Sequence, residues 1–359
     1  MSTLLMTGFP GFLGSALLPR LLARRDGVHA LCLVQGKHMD TARERLAELE
    51  AANPDILGRV ELVEGDITEV GLGLSDATAP RDVSEVWHLA AIYDLTVPEA
   101  IARKVNIGGT ANVLAFCAGQ PDLQRLHYVS TCYVSGKFTG EFGEDVLEEG
   151  QSFNNHYETT KYEAEVLVRA AIAGGLPATI YRPGIVVGDS ATGETQKFDG
   201  PYFVAEYIKR LPGAVFLPDV DPEVKASLVP RDFLISAMDE LSVLDRSVGR
   251  TYQLTDPNPP SAREVAEIFA GLLNRKPVFL PVKPSVLRAL LVTLPGMEQL
   301  TGLPAELLDY FGFATTYSTA NTTADLAGTG LACPAFKDYA GVLLEFMHAH
   351  PEISSEAMV

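Results

Sequence analysis

Tyr157 and Lys161 lie four residues apart in Tyr157-Glu158-Thr159-Thr160-Lys161 and offer the first chemistry in the chain. Residues at this spacing share one face of a helix. A phenol beside an ammonium is a proton-transfer pair, because the cation favours phenolate and draws the tyrosine pKa toward neutrality. Such a phenol donates or accepts a proton near pH 7. Tyr133 and Lys137 repeat the spacing, but Tyr133 runs into Ser135-Gly136, a strand end and turn. That pair reads as a decoy. Tyr157 instead leads into Lys-Tyr-Glu-Ala-Glu-Val-Leu-Val-Arg-Ala-Ala, a run of strong helix formers.

Such a pair acts only beside a cofactor, and the N-terminal elements supply a place for one. Ser2–Thr7 reads as a short buried strand, and an apolar helical run starts at Ser15. Between them Thr7-Gly8-Phe9-Pro10-Gly11-Phe12-Leu13-Gly14 spaces its glycines as G-x-x-G-x-x-G. Glycines there permit a tight turn and let backbone N–H groups approach a pyrophosphate at a helix N-terminus. The strand Val28–Val34 ends in Gln35-Gly36-Lys37, without the acidic residue that would take a ribose 2′-hydroxyl. Lys37, Arg43 and Arg45 follow; they favour a 2′-phosphate, or are solvated helix charges. The strand Val60–Glu64 leads to Asp66-Ile67, where the aspartate either accepts from an adenine amino group or caps a turn. A fourth strand, 83–89, ends in His88-Leu89-Ala90-Ala91; the small residues let a cofactor pass close to the backbone, and His88 reads as a packed strand histidine.

A helix over 98–119 carries Asn106, a fifth strand over 126–129 leads to Ser130-Thr131-Cys132-Tyr133, and the acidic segment 141–150 reads as a mobile surface loop. A sixth strand, 178–181, ends in Arg182-Pro183-Gly184-Ile185. Six alternations of strand and helix predict an α/β fold: a Rossmann-like, doubly wound parallel sheet with helices on both faces. Gly8, Asp66, Ala90, Thr131 and Pro183 then converge at the carboxyl ends of the strands, where such sheets bind ligands. After Val187 the rhythm breaks. Residues 1–186 and 226–256 are expected to form the nucleotide domain; 187–225 and 257–359 are expected to form a smaller, mostly helical substrate cap. Ser261-Ala-Arg-Glu264 is a capping-box helix start, and the apolar stretch 284–294 could wall a hydrophobic substrate.

These residues together resemble the extended short-chain dehydrogenase/reductase superfamily, and within it the fatty acyl-CoA reductase and thioester reductase group, the male-sterility domain family. The matching stretches are 7–14, Gly65-Asp66, Trp87-His-Leu-Ala-Ala91, Val105-Asn-Ile-Gly-Gly-Thr-Ala-Asn-Val-Leu114, Val129-Ser-Thr-Cys-Tyr-Val134, Asn155-His-Tyr-Glu-Thr-Thr-Lys161 and Tyr181-Arg-Pro-Gly-Ile-Val-Val-Gly-Asp-Ser190. The resemblance implies that Tyr157 is the acid/base, that Lys161 holds the nicotinamide ribose, that Thr131 polarises the substrate carbonyl, and that Asn106 supports the proton network. It implies NADP(H) as cofactor, bound by Thr7 to Gly14, Gln35, Lys37, Arg43, Asp66, Ile67, Leu89 to Ala91, Tyr157, Lys161 and Pro183 to Ile185. The group usually carries Arg where this chain has Gln35. The implied reaction is reduction of an acyl thioester, on coenzyme A or an acyl-carrier protein, to an aldehyde. The alternatives are an oxidoreductase or epimerase acting on a nucleotide sugar or steroid-like alcohol, and a non-catalytic NADP sensor.

Composition narrows the partners. The net charge of −18 disfavours nucleic acid and anionic membrane, so acidic carriers would need a local basic patch such as Lys197, Lys209 and Arg210. No apolar stretch reaches the ~18 residues of a membrane span. Gly-Phe-Pro-Gly interrupts the early apolar run, so no secretory signal is expected. The four cysteines form no metal or redox spacing, and free thiols imply a reducing, cytoplasmic setting.

Overall fold

A computed structural model describes residues 2–75, 80, 82–93, 97–294, 301 and 303–353. The last positions of the expected cap, 354–359, lie outside the described residues. Seven parallel strands form the main sheet: β1 (Ser2–Thr7), β2 (Val28–Val34), β3 (Val60–Glu64), β4 (Val83–His88), β5 (Arg125–Val129), β7 (Ala178–Pro183) and β11 (Thr251–Leu254). Their order is β11-β7-β5-β4-β1-β2-β3. The sequence rhythm marks six; the seventh is the later apolar return at 251–254.

Period-two alternation puts neighbouring side chains of β1 into different cores. Leu4 and Met6 pack with Leu17, Leu18 and Leu21 of α1 (Phe12–Arg24) and with Leu234 and Met238 of α7 (Arg231–Ser242). Leu5 packs on the opposite face with Val86, Leu126, Val113 and Cys117. Burial of both faces explains why these strands read as unbroken apolar runs.

Along the chain, α2 (Met39–Ala52) is followed by α3 (Glu99–Ala102) and α4 (Gly109–Ala118), and these last two are joined through a π-helical turn at Arg103–Gly108. The expected 98–119 helix is therefore interrupted at Asn106. Next comes α5 (His156–Ala173), which buries Ala164 and Val168 against Tyr128 and Ile180.

Three short parallel pairs lie outside the main sheet. They join β6 (Gly140–Phe142) to β13 (Thr315–Tyr317), β8 (Ile185–Val187) to β10 (Leu228–Pro230), and β9 (Ala214–Pro218) to β12 (Lys276–Leu280). A separate apolar core unites α6 (Pro201–Arg210), α8 (Ala262–Leu272) and a helix over Phe336–Ala349. The capping box of Ser261 and Glu264 opens α8 as the sequence predicts. A helix α9 (Pro284–Thr293) and a 3-10 stretch, Ala305–Gly312, pack together around Leu291 and Leu308.

The acidic segment 141–150 is exposed at Glu141, Asp145 and Glu148 to Gly150, but it is not a surface loop throughout. Phe142, Glu144 and Leu147 are buried. The Glu144 carboxylate accepts from the backbone of Gln253 and Thr322 and from the Thr322 hydroxyl. Arg182 donates to the carbonyls of Gly143, Glu144 and Val146. The acidic composition hid an inward-facing carboxylate. Among the described residues no helix is long and apolar enough to cross a membrane.

Candidate active site

The glycine loop sits where β1 hands over to α1. Gly8 has φ +89°, and a Cβ there would stand 2.9 Å from both the Leu89 carbonyl carbon and the Ala90 nitrogen. A Cβ on Gly14 would lie 2.6 Å from the Gly8 carbonyl oxygen. The loop is thus folded onto itself and against the end of β4, and Gly11 brings no side chain to cap α1. Uncapped N–H groups at a helix N-terminus form an anion cradle, so the residues present fit a dinucleotide pyrophosphate. The Phe9–Pro10 bond is cis.

Around this cradle the expected residues divide. Thr7 is turned inward: its hydroxyl pairs with His88 Nδ1 at 2.8 Å and accepts from the Ala90 N–H at 3.2 Å. His88 Nε2 meets the Thr110 hydroxyl at 3.2 Å. Burial, with the Lys161 charge nearby, lowers the imidazole to about 3, so His88 is a neutral core bridge, as the sequence predicts. Phe9 is buried in the core and Leu13 is packed against it, whereas the Phe12 ring lies 5.0 Å from the Arg231 guanidinium. Pro183 and Gly184 are buried; Gly184 donates to the Leu254 carbonyl, and a Cβ on it would collide with the Ser227 carbonyl. Ile185 likewise donates to Ser227. These three turn the chain out of the sheet.

A cleft of about 490 Å³ opens beside β2 and β3, lined by Gln35, Gly36, Glu64, Asp66 and Glu69 among others. Asp66 uses one oxygen to take the Thr68 N–H at 2.8 Å and the other to take the Gln35 amide at 2.9 Å. Its turn-capping role is therefore present in the fold. Ile67 is buried; a Cβ on Gly109 would come within 2.6 Å of its Cδ1.

The expected 2′-phosphate cations are unequal. Arg43 pairs with Asp40 at 2.8 Å, and Arg45 pairs with Glu48 at 2.9 Å. Lys37 is exposed and makes no ion pair among the described residues. The acid missing after β2 is supplied in space by β3. Glu64 stands in register with Val34, its Oε1 2.6 Å from where a Gly36 Cβ would be. Sequence reading missed this because the two residues meet only through strand pairing.

The Tyr-Lys pair lies on α5. Asn155 caps that helix by accepting the Glu158 N–H at 3.0 Å. Tyr157 is half-buried, and its phenol faces the Thr131 hydroxyl at the end of β5. Thr131 also accepts the Tyr133 N–H at 3.2 Å, which fixes the turn.

Lys161 does not do what its spacing suggests. Its Nζ donates to the Val129 carbonyl at 2.8 Å and to the Tyr128 hydroxyl at 3.1 Å. Burial lowers its ammonium to about 7, with Glu165 acting the other way. Burial raises the Tyr157 phenol above its ordinary range, and the facing Thr131 hydroxyl offsets this only in part. The expected depression of the tyrosine is thus absent in this state: the long lysine stem passes under the helix to β5. Tyr133 sits in a 3-10 turn, and Lys137 lies over the Phe313 ring at 5.8 Å, so the second pair shares no helix face.

Asn106 joins the cluster through the π turn. Its amide donates to the Ile92 carbonyl and to Thr160 on α5, both at 3.0 Å, and its Oδ1 accepts the Ile92 N–H at 2.9 Å. Single π turns inside helices recur at functional sites. Thr131 and Tyr157 thus face each other at the carboxyl end of β5, Lys161 is anchored on Val129 of that strand, and Asn106 is tied to α5 through Thr160. Lys197, Lys209 and Arg210 form no free basic patch: Lys197 pairs with Asp199 at 3.0 Å, and Lys209 and Arg210 with Glu206 at 3.5 and 3.2 Å.

A seven-stranded doubly wound sheet with a glycine loop at β1 and a Thr-Tyr-Lys cluster at β5 defines an extended short-chain dehydrogenase/reductase, an oxidoreductase class. The chain belongs to the NAD-binding male sterility protein family, whose model matches residues 6–238. It is similar to a component of the linear gramicidin synthase of Brevibacillus parabrevis, 31% identical over 283 residues that cover 76% of this chain and 5% of that protein. It is also similar to aldehyde reductase lnbA of Aspergillus flavus, 31% identical over 274 residues, 70% of this chain and 26% of that one. The chain thus spans about a quarter or less of each relative's length. The terminal R domain from the myxalamid PKS-NRPS biosynthetic pathway superposes with a TM-score of 0.82 at 28% identity, over 98% of this chain and 91% of that domain.

Proposed function

We propose that the chain reduces an acyl thioester, held on a carrier domain or coenzyme A, to an aldehyde with NADPH. The convergence of the Thr131 and Tyr157 hydroxyls beside a dinucleotide cradle carries this reading. Similarity to a terminal R domain over nearly the whole chain, and to an aldehyde reductase, supports it.

When bound, the nicotinamide supplies the hydride that forms the new C–H bond at the thioester carbonyl carbon. Thr131 and Tyr157 hold the carbonyl oxygen by hydrogen bonds, which stabilise the charge as it develops there. Tyr157 gives that oxygen its phenolic proton, and a hemithioacetal results. The hydroxyl proton then returns to Tyr157 as the C–S bond breaks and its electron pair leaves with sulfur. The thiolate takes a proton from solvent, and the balance is thioester, NADPH and one proton against aldehyde, thiol and NADP⁺. Lys161, held by Val129 and Tyr128, would hold the nicotinamide ribose. Segments 187–225 and 257–359 act as the substrate-binding cap and C-terminal helices.

Lys37 is the cation that favours the 2′-phosphate. Glu64 opposes it from β3 and would accept ribose hydroxyls of NADH instead, so cofactor choice is a contest between these two residues.

The test is Tyr157→Phe, assayed for NADPH oxidation with acyl-CoA and acyl-carrier thioesters and, alongside, with nucleotide sugars. Turnover with a thioester should fall by about 10²–10⁴-fold, as is usual on losing a general acid, while NADPH binding persists. Normal reduction by that variant would remove Tyr157 from the reaction. Turnover of sugars alone would replace the thioester reading.

A further inference from the structure

One side chain from outside the main sheet touches a neighbour of each member of the Thr131–Tyr157 pair. Tyr310 lies on the 3-10 stretch Ala305–Gly312. Its hydroxyl accepts from Asn155 Nδ2 at 3.0 Å, and Asn155 is the residue that caps α5. The same hydroxyl faces the carboxylate of Glu158, which is fully buried and takes the Asn154 N–H at 2.8 Å. Tyr157 therefore sits between Asn155, which Tyr310 holds, and Glu158, which it faces. On the other side, the Tyr310 ring packs edge-on against Tyr133, centroids 5.0 Å apart, and the Tyr133 N–H is bound by the Thr131 hydroxyl. The hydroxyl thus fixes the first turn of α5, and the ring braces the turn that carries Thr131.

The neighbours of Tyr310 face a different environment. Leu307, Leu308 and Phe311 line an apolar pocket together with Tyr207 of α6, Ala266 of α8 and Leu287 of α9. One short stretch thus borders both the apolar pocket and the polar pair.

We propose that Tyr310 is a positioning residue for the proposed reaction, clamping Tyr157 and Thr131 at the separation a carbonyl oxygen needs. Placement errors of about 1 Å in such groups cost on the order of 10²-fold in rate. A hydroxyl deletion that leaves the ring in place should cost less, about tenfold.

The proposal rests on Tyr157 as the acid, so Tyr157→Phe is measured alongside. Tyr310→Phe should lower kcat with decanoyl-CoA and NADPH about tenfold, with KM, the NADPH Kd and Tm unchanged. Asn155→Ser keeps a helix-capping oxygen but is too short to reach Tyr310. It should lower kcat by the same factor, and the double variant no further. The control is Tyr252→Phe, which removes the bond from β11 to Asp325 (2.6 Å) and leaves both α5 and the Thr131 turn alone; its kcat should match the parent. Amide exchange at Tyr157–Thr159 of the NADPH-bound protein gives a readout that needs no substrate, and it should quicken in Tyr310→Phe and Asn155→Ser only. Parental turnover and exchange in Tyr310→Phe, or an equal loss in Tyr252→Phe, would overturn the positioning role. Normal turnover in Tyr157→Phe would remove the acid reading instead, a separate result.

Discussion

Glu64 and Lys37 show how a residue's role can depend on a partner far away in the chain. The missing acid after β2 and the presence of Lys37 were legible as a preference for a 2′-phosphate. The carboxylate that stands beside Gly36 was not, because β2–β3 register alone brings it there. A charge-assisted bond from lysine to phosphate contributes about 1.5–3 kcal/mol. Lys37→Ala should accordingly weaken NADPH about tenfold or more and leave NADH nearly unchanged. Glu64→Gln should act in the opposite sense, tightening NADPH and loosening NADH, as read by titrating nicotinamide fluorescence. Tighter NADH than NADPH binding in the parent would show that Glu64 wins. Lys161 teaches the same lesson on helix geometry. Spacing placed it on the face of Tyr157, but the Val129 carbonyl and Tyr128 hydroxyl, from another element, decide where its ammonium rests.

At the scale of elements, the strands of the main sheet were readable because burial on both faces leaves uninterrupted apolar runs, and their motifs are local. The three short pairs β6–β13, β8–β10 and β9–β12 were not, since each joins segments distant in sequence and short enough to pass for loops. The apolar stretch 284–294 reads from sequence as core or as a wall for a hydrophobic substrate. Its Val286, Leu290, Val292 and Leu294 are exposed, and only Leu287 of the stretch lines the apolar pocket. Substrate selection should therefore respond at Leu287 and at Ala266 of α8, and not along the whole helix. Ala266→Phe should shift the preferred acyl chain toward shorter thioesters while the NADPH Kd stays fixed; overpacking should lower stability by about 1–3 kcal/mol. A chain-length profile with octanoyl, dodecanoyl and hexadecanoyl thioesters checks this. An unchanged profile in a folded Ala266→Phe protein would make the pocket plain core.

The whole molecule is pinned by a buried ion pair that no motif announces. Glu165 and Arg182 have fully buried side chains 2.6 Å apart, and Ser130, next to Thr131, donates to the same carboxylate at 2.6 Å. Burial alone would raise the Glu165 carboxyl, but the Arg182 charge and hydrogen bonds outweigh it and hold the group below its ordinary value of 4.5. With a depressed folded-state pKa, its contribution is present above about pH 4.5 and is lost as pH falls further. Tm should therefore drop on acidification below that value, and Glu165→Leu with Arg182→Met should flatten that limb. Glu165→Gln alone should cost about 3–5 kcal/mol at neutral pH by leaving Arg182 buried without a counter-charge. Parental Tm in Glu165→Gln would refute the pinning role.

The position of β11 in the chain sets the schedule on which the molecule is made. β7, buried throughout, has β5 on one side and waits for β11 on the other, yet residues 184–250 must emerge between them. At ~5–20 residues per second of synthesis this lasts several seconds. For that interval a nascent chain carries an open apolar edge, the kind that recruits a stranger's strand. The strands that carry Thr131 and Pro183 are thus synthesised before the strand that covers their edge.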